Sequence, residues 1–216
     1  MSTRLGLISD VHSSPAALAE ALDIFARKQV SDIICAGDIA GYFDNLLPTI
    51  ELLEQAACKT IIGNHDQAYI HTHCDQDMAR ECLFLEALPD TLELTVENKR
   101  IYCVHAEPPS TQHGGIKLLD QQGEVIPQRL LLWHNKLMDL KADILIVGHT
   151  HQVFAEQLGD VLVINPGSSV FNHSCMILSL PECTVETFAL ENKDIIKCWN
   201  FSMLYGSGNP YPRKGM

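Results

Sequence analysis

Asp10-Val11-His12, Gly37-Asp38, Gly63-Asn64-His65-Asp66, His105 and Gly148-His149-Thr150-His151 bring carboxylate, amide and imidazole side chains to five separate points of the chain. Asp10, Asp38, Asn64, His12, His105, His149 and His151 together offer two carboxylates, one amide oxygen and four imidazoles. This hard-to-borderline donor set suits Mn²⁺, Fe, Zn²⁺ or Ni²⁺ and suits Ca²⁺ poorly, because calcium takes oxygen ligands. Seven donors exceed the needs of one four-coordinate ion. They fit two ions sharing a bridging carboxylate, and two ions roughly 3.5–4 Å apart clamp the attacking and leaving oxygens of an in-line displacement at phosphorus.

Taken singly, most of these motifs are weak. Asp-x-His arises in many chains as a capped turn, and Gly-Asp is an ordinary turn dipeptide. Gly-Asn-His-Asp differs: with 13 Gly, 9 Asn, 10 His and 14 Asp in 216 residues, roughly 0.002 copies are expected by chance. The stronger signal is joint, since all five motifs follow apolar runs that read as strands.

Those runs must position the donors. Residues 4–9 read as a strand. Ser14 followed by Pro15 reads as an N-cap with Pro at the first helical position, opening a helix to about Lys28. A strand at 32–35, a helix at 46–55 and a strand at 59–62 complete a β-α-β-α-β order, which implies parallel pairing with right-handed crossovers. Further on, Met78, Cys82, Leu85 and Leu88 predict a helix over 76–88. Strands at 91–96 and 100–105 flank a Glu97-Asn98-Lys99 hairpin turn, a long loop covers 106–127, a leucine-rich helix covers 128–140, and a strand covers 143–147. Segments 152–158, 161–164, 174–180 and 184–190, with turns at Gly159-Asp160 and Pro181-Glu182, read as an antiparallel meander. The fold class is α/β, with two sheets packed together and helices outside. A single domain over 1–216 is expected, with 191–216 as a C-terminal tail whose 205–214 segment is extended or frayed. The carboxyl ends of parallel strands share one edge, where ligands bind. On extended backbone, Asp10 with His12, and His149 with His151, point the same way.

Composition narrows the partners. Fifteen Lys and Arg against 27 Asp and Glu give a net charge of −12. That charge is unsuited to a nucleic-acid duplex or an anionic membrane, both of which demand a basic face. Positive charge for a phosphate must then come from something other than Lys and Arg, and bound cations are the natural source. No apolar run approaches the roughly 18 residues of a membrane span, and the first residues lack a signal-peptide core. Eight cysteines without a Cys-x-x-Cys pair, most in apolar runs, read as free thiols of a cytoplasmic protein.

The five motifs, in this order, resemble the signature of the calcineurin-like metallophosphoesterases, most closely the small bacterial and archaeal phosphodiesterases of that superfamily. The likeness runs from residue 5 to about 168 and takes in Asn165-Pro166-Gly167-Ser168. It implies a four-layer α/β/β/α sandwich and two divalent metal ions, Mn first, with Fe, Zn or Ni as alternatives. By motif position, Asp10, His12 and His151 would hold one metal, Asn64, His105 and His149 the other, and Asp38 would bridge them. His65 would be the catalytic general acid or a charge stabiliser, with Asp66 orienting it or capping a helix. Small relatives usually carry Gly-Asn after the first histidine, where this chain has Ser13-Ser14. The implied activity is hydrolysis of a small phosphoester by a metal-bridging hydroxide, as a phosphodiesterase with possible phosphomonoesterase action. The alternatives are a nucleotide-specific hydrolase, such as a dinucleoside polyphosphatase, and a non-catalytic binding module, as in the retromer subunit that lacks the catalytic histidine.

Outside the motifs, His71-Thr72-His73 reads as a surface loop, His113 as a residue of the 106–127 loop, and His134 and His173 as structural. Leu130-Leu131-Leu132-Trp133 reads either as core or as a subunit contact in a homo-oligomer. Trp199, Phe201 and Tyr205 read as packing on the body or on a partner chain.

Overall fold

The structure is a computed structural model that describes residues 3–74 and 79–200. The element order is β1 (Thr3–Ile8), α1 (Pro15–Arg27), β2 (Asp32–Cys35), α2 (Leu46–Gln55), β3 (Lys59–Thr60), α3 (Asn64–His73), α4 (Arg80–Glu86), β4 (Thr91–Val96) and β5 (Lys99–Val104). It continues with α5 (Pro127–Leu137), β6 (Ile144–Ile146), β7 (Val153–Leu158), β8 (Val161–Pro166), β9 (Ser174–Leu180) and β10 (Thr184–Ala189). Two five-stranded mixed sheets result, ordered β10-β9-β1-β2-β3 and β4-β5-β6-β8-β7. In the first, β1, β2 and β3 are parallel; in the second, β5, β6 and β8 are parallel.

The α/β/β/α layering follows from where apolar side chains go. Leu5 and Leu7 of β1, Ile34 of β2, Ile101 and Cys103 of β5, and Ile144 and Ile146 of β6 meet between the sheets. Alternate residues face the other way: Ile8 and Cys35 pack with Leu18, Ala21 and Phe25 of α1 and Ile50 and Leu53 of α2. On the far side Val104, Leu145 and Val163 pack with Trp133 and Leu137 of α5. Burial on both faces explains why the parallel strands are continuous apolar runs rather than alternating ones.

The structure corrects several expectations. The four C-terminal strands are not one meander. The β7-β8 hairpin joins the second sheet, while the β9-β10 hairpin joins the first through β1. Both pairings satisfy the same alternation, and only burial against the opposite sheet selects between them. Ser14 sits at the N-cap of α1 without a side-chain hydrogen bond, so Pro15 carries the start. His71-Thr72-His73 is helical, the last turn of α3. Cys74 and Cys82 form a disulfide across the α3–α4 connection, their Cα atoms 5.7 Å apart; the pairing depends on how two helix ends meet, which spacing does not encode. The helix expected over 76–88 forms at Arg80–Glu86, and Met78 lies outside the described residues. So do Phe201 and Tyr205. Among the described residues, no helix is long and apolar enough to cross a membrane.

Candidate metal centre

The C-terminal ends of β1, β2, β3, β5 and β6 all open on one edge of the sandwich, and the five motifs sit there. Donor atoms fall into three overlapping groups, each with its atoms within 4.8 Å of one another: Asp10, His12 and His151; His12, Asp38 and His65; Asp38, His105 and His149. Asn64 joins the third, its Oδ1 lying 2.7 Å from His149 Nδ1 and 3.1 Å from His105 Nε2. Asp38 and His12 each belong to two groups, so all seven expected donors face one pocket.

Turns rather than strands aim these side chains. Asp10, His12, Asp38, His149 and His151 have φ of 52°, 50°, 55°, 63° and 47°, in the left-handed region that non-glycine residues seldom adopt. Extended backbone does not align the two i, i+2 pairs: the chain coils after each strand, and these strained turns carry the donors. The surrounding structure holds it. His12 N donates to Asp38 O and Asp10 N to Gly37 O, Ser168 Oγ donates to Asp10 O at 2.6 Å, and Asn165 Nδ2 donates to Gly148 O at 3.0 Å. Asn165-Pro166-Gly167-Ser168 thus works as a brace behind two ligand turns.

Gly63 is the N-cap of α3, and a Cβ there would run into the Asp38 carboxylate and backbone nitrogen. Its absence lets α3 start against Asp38, whose Oδ1 accepts the His65 backbone N–H at 2.8 Å. Asp66 accepts from Ala40 N at 2.7 Å and Gly63 N at 2.8 Å. This is the helix-cap role, extended to tie the Gly37–Gly41 turn to α3; its bonds go to backbone.

The donor chemistry fits cations. His105 Nδ1 donates to Ala36 O at 2.7 Å, which leaves Nε2 as a lone pair aimed at Asp38 Oδ1, 3.3 Å away, and at Asn64 Oδ1. Acceptors facing acceptors need a proton or a metal ion between them. A proton fills that place in the metal-free protein: burial pushes the His105 imidazole down, but Asp38 and then Asp10 outweigh it and lift its pKa to about 9. His12 Nδ1 likewise donates to Ala40 O at 3.2 Å, and burial lowers its pKa to about 3. Burial also lowers His149, to about 4, with His105 adding to the effect. Burial pushes Asp38 up, yet His105 holds it at about 2; Asp10 is likewise held well below the usual carboxylate range by His151, against its burial. Neutral imidazoles and ionised carboxylates are the forms that bind metal. Buried His151 Nδ1 has no hydrogen-bond partner among the described residues, and its ring stacks on Phe171 and lies 4.9 Å from the Trp199 ring.

Four pocket residues lie outside the motifs. Tyr42 lies 4.7 Å from the His12 ring and 4.9 Å from the His65 ring, and Trp199, Asn200 and the exposed Lys117 also line the pocket. None sits in a motif with a fixed spacing to the ligands. Of the other histidines, His113 approaches His149 at 6.3 Å between ring centres, and His173 pairs with Glu191 at 3.6 Å. Trp133 is core, whereas Leu131 and Leu132 beside it are exposed.

The chain is similar to known proteins. The chain is 24% identical over 166 residues to phosphodiesterase YfcE of Escherichia coli, covering 76% of this chain and 78% of the relative. It is 23% identical over 164 residues to phosphodiesterase MJ0936 of Methanocaldococcus jannaschii, covering 76% and 82%. Its fold matches the crystal structure of hypothetical protein PH1004 from Pyrococcus horikoshii with a TM-score of 0.72 at 17% identity, over 88% of this chain and 89% of that one. Residues 3–180 match the calcineurin-like phosphoesterase superfamily domain, and the chain belongs to that superfamily as a phosphoesterase hydrolase.

Proposed function

We propose that the protein is a dinuclear metal-dependent phosphodiesterase acting on small phosphoesters. The observation that carries this reading is the overlap of the three donor groups through Asp38 and His12: a single pocket with shared donors suits two adjacent cations better than one. Asp10, His12 and His151 would hold one, Asn64, His105 and His149 the other, and Asp38 both. Divalent cations, Mn²⁺ first among those the donors accept, would acidify bound water and offset charge on the phosphoryl oxygens.

The chain's own residues do the rest. His65 stands beside this pocket on the first turn of α3 and delivers a proton to the leaving oxygen. Its backbone N–H on Asp38 Oδ1 ties its position to the bridging carboxylate. Asp66 positions the two loops through backbone bonds. With a net charge of −12, the protein suits a small ester drawn in by local cations rather than a nucleic-acid duplex.

The test is hydrolysis of bis-p-nitrophenyl phosphate. Turnover with Mn²⁺ that a chelator abolishes is the expected result. No turnover with any of Mn²⁺, Fe²⁺, Ni²⁺ or Zn²⁺ would overturn the reading and leave a binding module on this fold.

A further inference from the structure

The pocket over the metal ligands has a volume of about 250 Å³, below the range of cavities that enclose a drug-sized molecule. A phosphoester larger than the group under attack must leave its outer part at the rim. The exposed residues of its lining include Tyr42 and Lys117. Lys117 is the only Lys or Arg among the described residues lining this pocket.

Its placement is built by the ligand turn itself. Thr150 Oγ1, between His149 and His151, donates to Ile116 O at 3.0 Å. Gln152 Oε1, directly after His151, accepts from Leu118 N at 2.8 Å and Leu119 N at 3.0 Å, and its Nε2 donates back to Leu119 O at 3.0 Å. Ile116 and Leu118 are fully buried while Lys117 between them is exposed. With both neighbours in the core, the middle side chain is turned outward. Gly115 permits the approach: a Cβ there would meet Thr150 Cγ2 at 2.7 Å. The ion pairs of Lys59, Arg80, Arg100, Lys136 and Lys193 leave Lys117 out. A chain with few cations thus holds one, without a carboxylate partner among the described residues, at the mouth of its catalytic pocket.

We propose that Lys117 determines specificity by contacting a second anionic group of the substrate, so that preferred esters carry a phosphate or carboxylate beyond the phosphoryl under attack. This rests on the phosphodiesterase reading above. The interaction is a charge-assisted hydrogen bond at a partly solvated rim, and it weakens as salt rises.

The experiment compares thymidine 5′-(p-nitrophenyl phosphate) with the same compound phosphorylated at the 3′ oxygen. Both release p-nitrophenolate from the 5′ phosphoryl, and they differ only in the second anion. The Mn²⁺-loaded protein is expected to favour the 3′-phosphorylated ester by about tenfold in kcat/KM, mostly through KM. In Lys117→Ala that ratio falls towards one, Lys117→Arg keeps it, and Lys117→Glu inverts it. Calorimetric binding of thymidine 3′,5′-bisphosphate against thymidine 5′-monophosphate is expected to follow the same ratios without turnover. Equal ratios in wild type and Lys117→Ala, or a wild type without preference, overturn the role of Lys117 and leave the hydrolase reading standing. No turnover of either ester with any divalent metal overturns both.

Discussion

His12 Nε2 and His151 Nε2 face each other 3.2 Å apart, although 139 residues separate them in the chain. His12 Nδ1 is committed to Ala40 O, so its Nε2 presents a lone pair. His151 Nε2 also lies 3.2 Å from Asp10 Oδ1. Three donor atoms converge on one small space in the heart of the catalytic edge, where only a proton or a cation relieves their mutual repulsion. The metal-free protein is thus held in a shape that a cation stabilises.

Cation binding is expected to tighten with pH. Below about 9 the His105 imidazole is protonated in the metal-free state, since Asp38 raises its pKa against the effect of burial. A metal must displace that proton, so affinity rises by up to about tenfold per pH unit between roughly pH 6 and 9 and then levels off. His12 and His149, held at about 3 and 4, are already neutral in that window and add no slope. Calorimetric Mn²⁺ titrations in buffers of different ionisation enthalpy check both the slope and the released proton; a flat profile would contradict the assignment.

Replacing His65 separates ligand from acid. Its ring nitrogen lies within reach of His12 and Asp38 donors, so His65→Ala is decisive. The expected outcome is unchanged metal stoichiometry with kcat on bis-p-nitrophenyl phosphate down about 100-fold or more. Loss of one bound metal in elemental analysis would make His65 a ligand instead.

Asp66 is expected to act through stability. Asp66→Ala leaves the Ala40 and Gly63 N–H groups without their buried acceptor, at a cost of about 2–4 kcal/mol. Chemical denaturation of the metal-free protein measures it. A variant of parental stability that has lost activity would instead indicate that Asp66 orients His65.

Trp199 should report on the metal site. Its ring stacks on Phe171 at 4.3 Å and lies 4.9 Å from His151, whereas Trp133 belongs to the core under α5. In Trp133→Phe, emission is expected to change when Mn²⁺ is added and to recover with chelator; in Trp199→Phe the response disappears. Trp199→Ala is expected to lose about 3 kcal/mol of stability.

Which residues gather at the candidate metal centre was legible in the chain alone. Apolar runs buried on both faces announce parallel strands, and polar donors directly after them fall on the carboxyl edge because parallel strands all end there. That logic points to Asp10, His12, Asp38, Asn64, His65, His105, His149 and His151, and the structure brings them together. What the sequence leaves open, or points to wrongly as in the single meander and the free thiols, are relations that no local pattern encodes. The assignment of the β7-β8 and β9-β10 hairpins to different sheets depends on which face each buries. The Cys74–Cys82 pairing depends on two helix ends meeting, and the left-handed turns at Asp10 and His149 depend on braces from Ser168 and Asn165. Lys117 carries no motif at all. Its place at the pocket mouth comes from Thr150 and Gln152, which hold its backbone from more than thirty residues away, and such long-range closure is the work of tertiary packing.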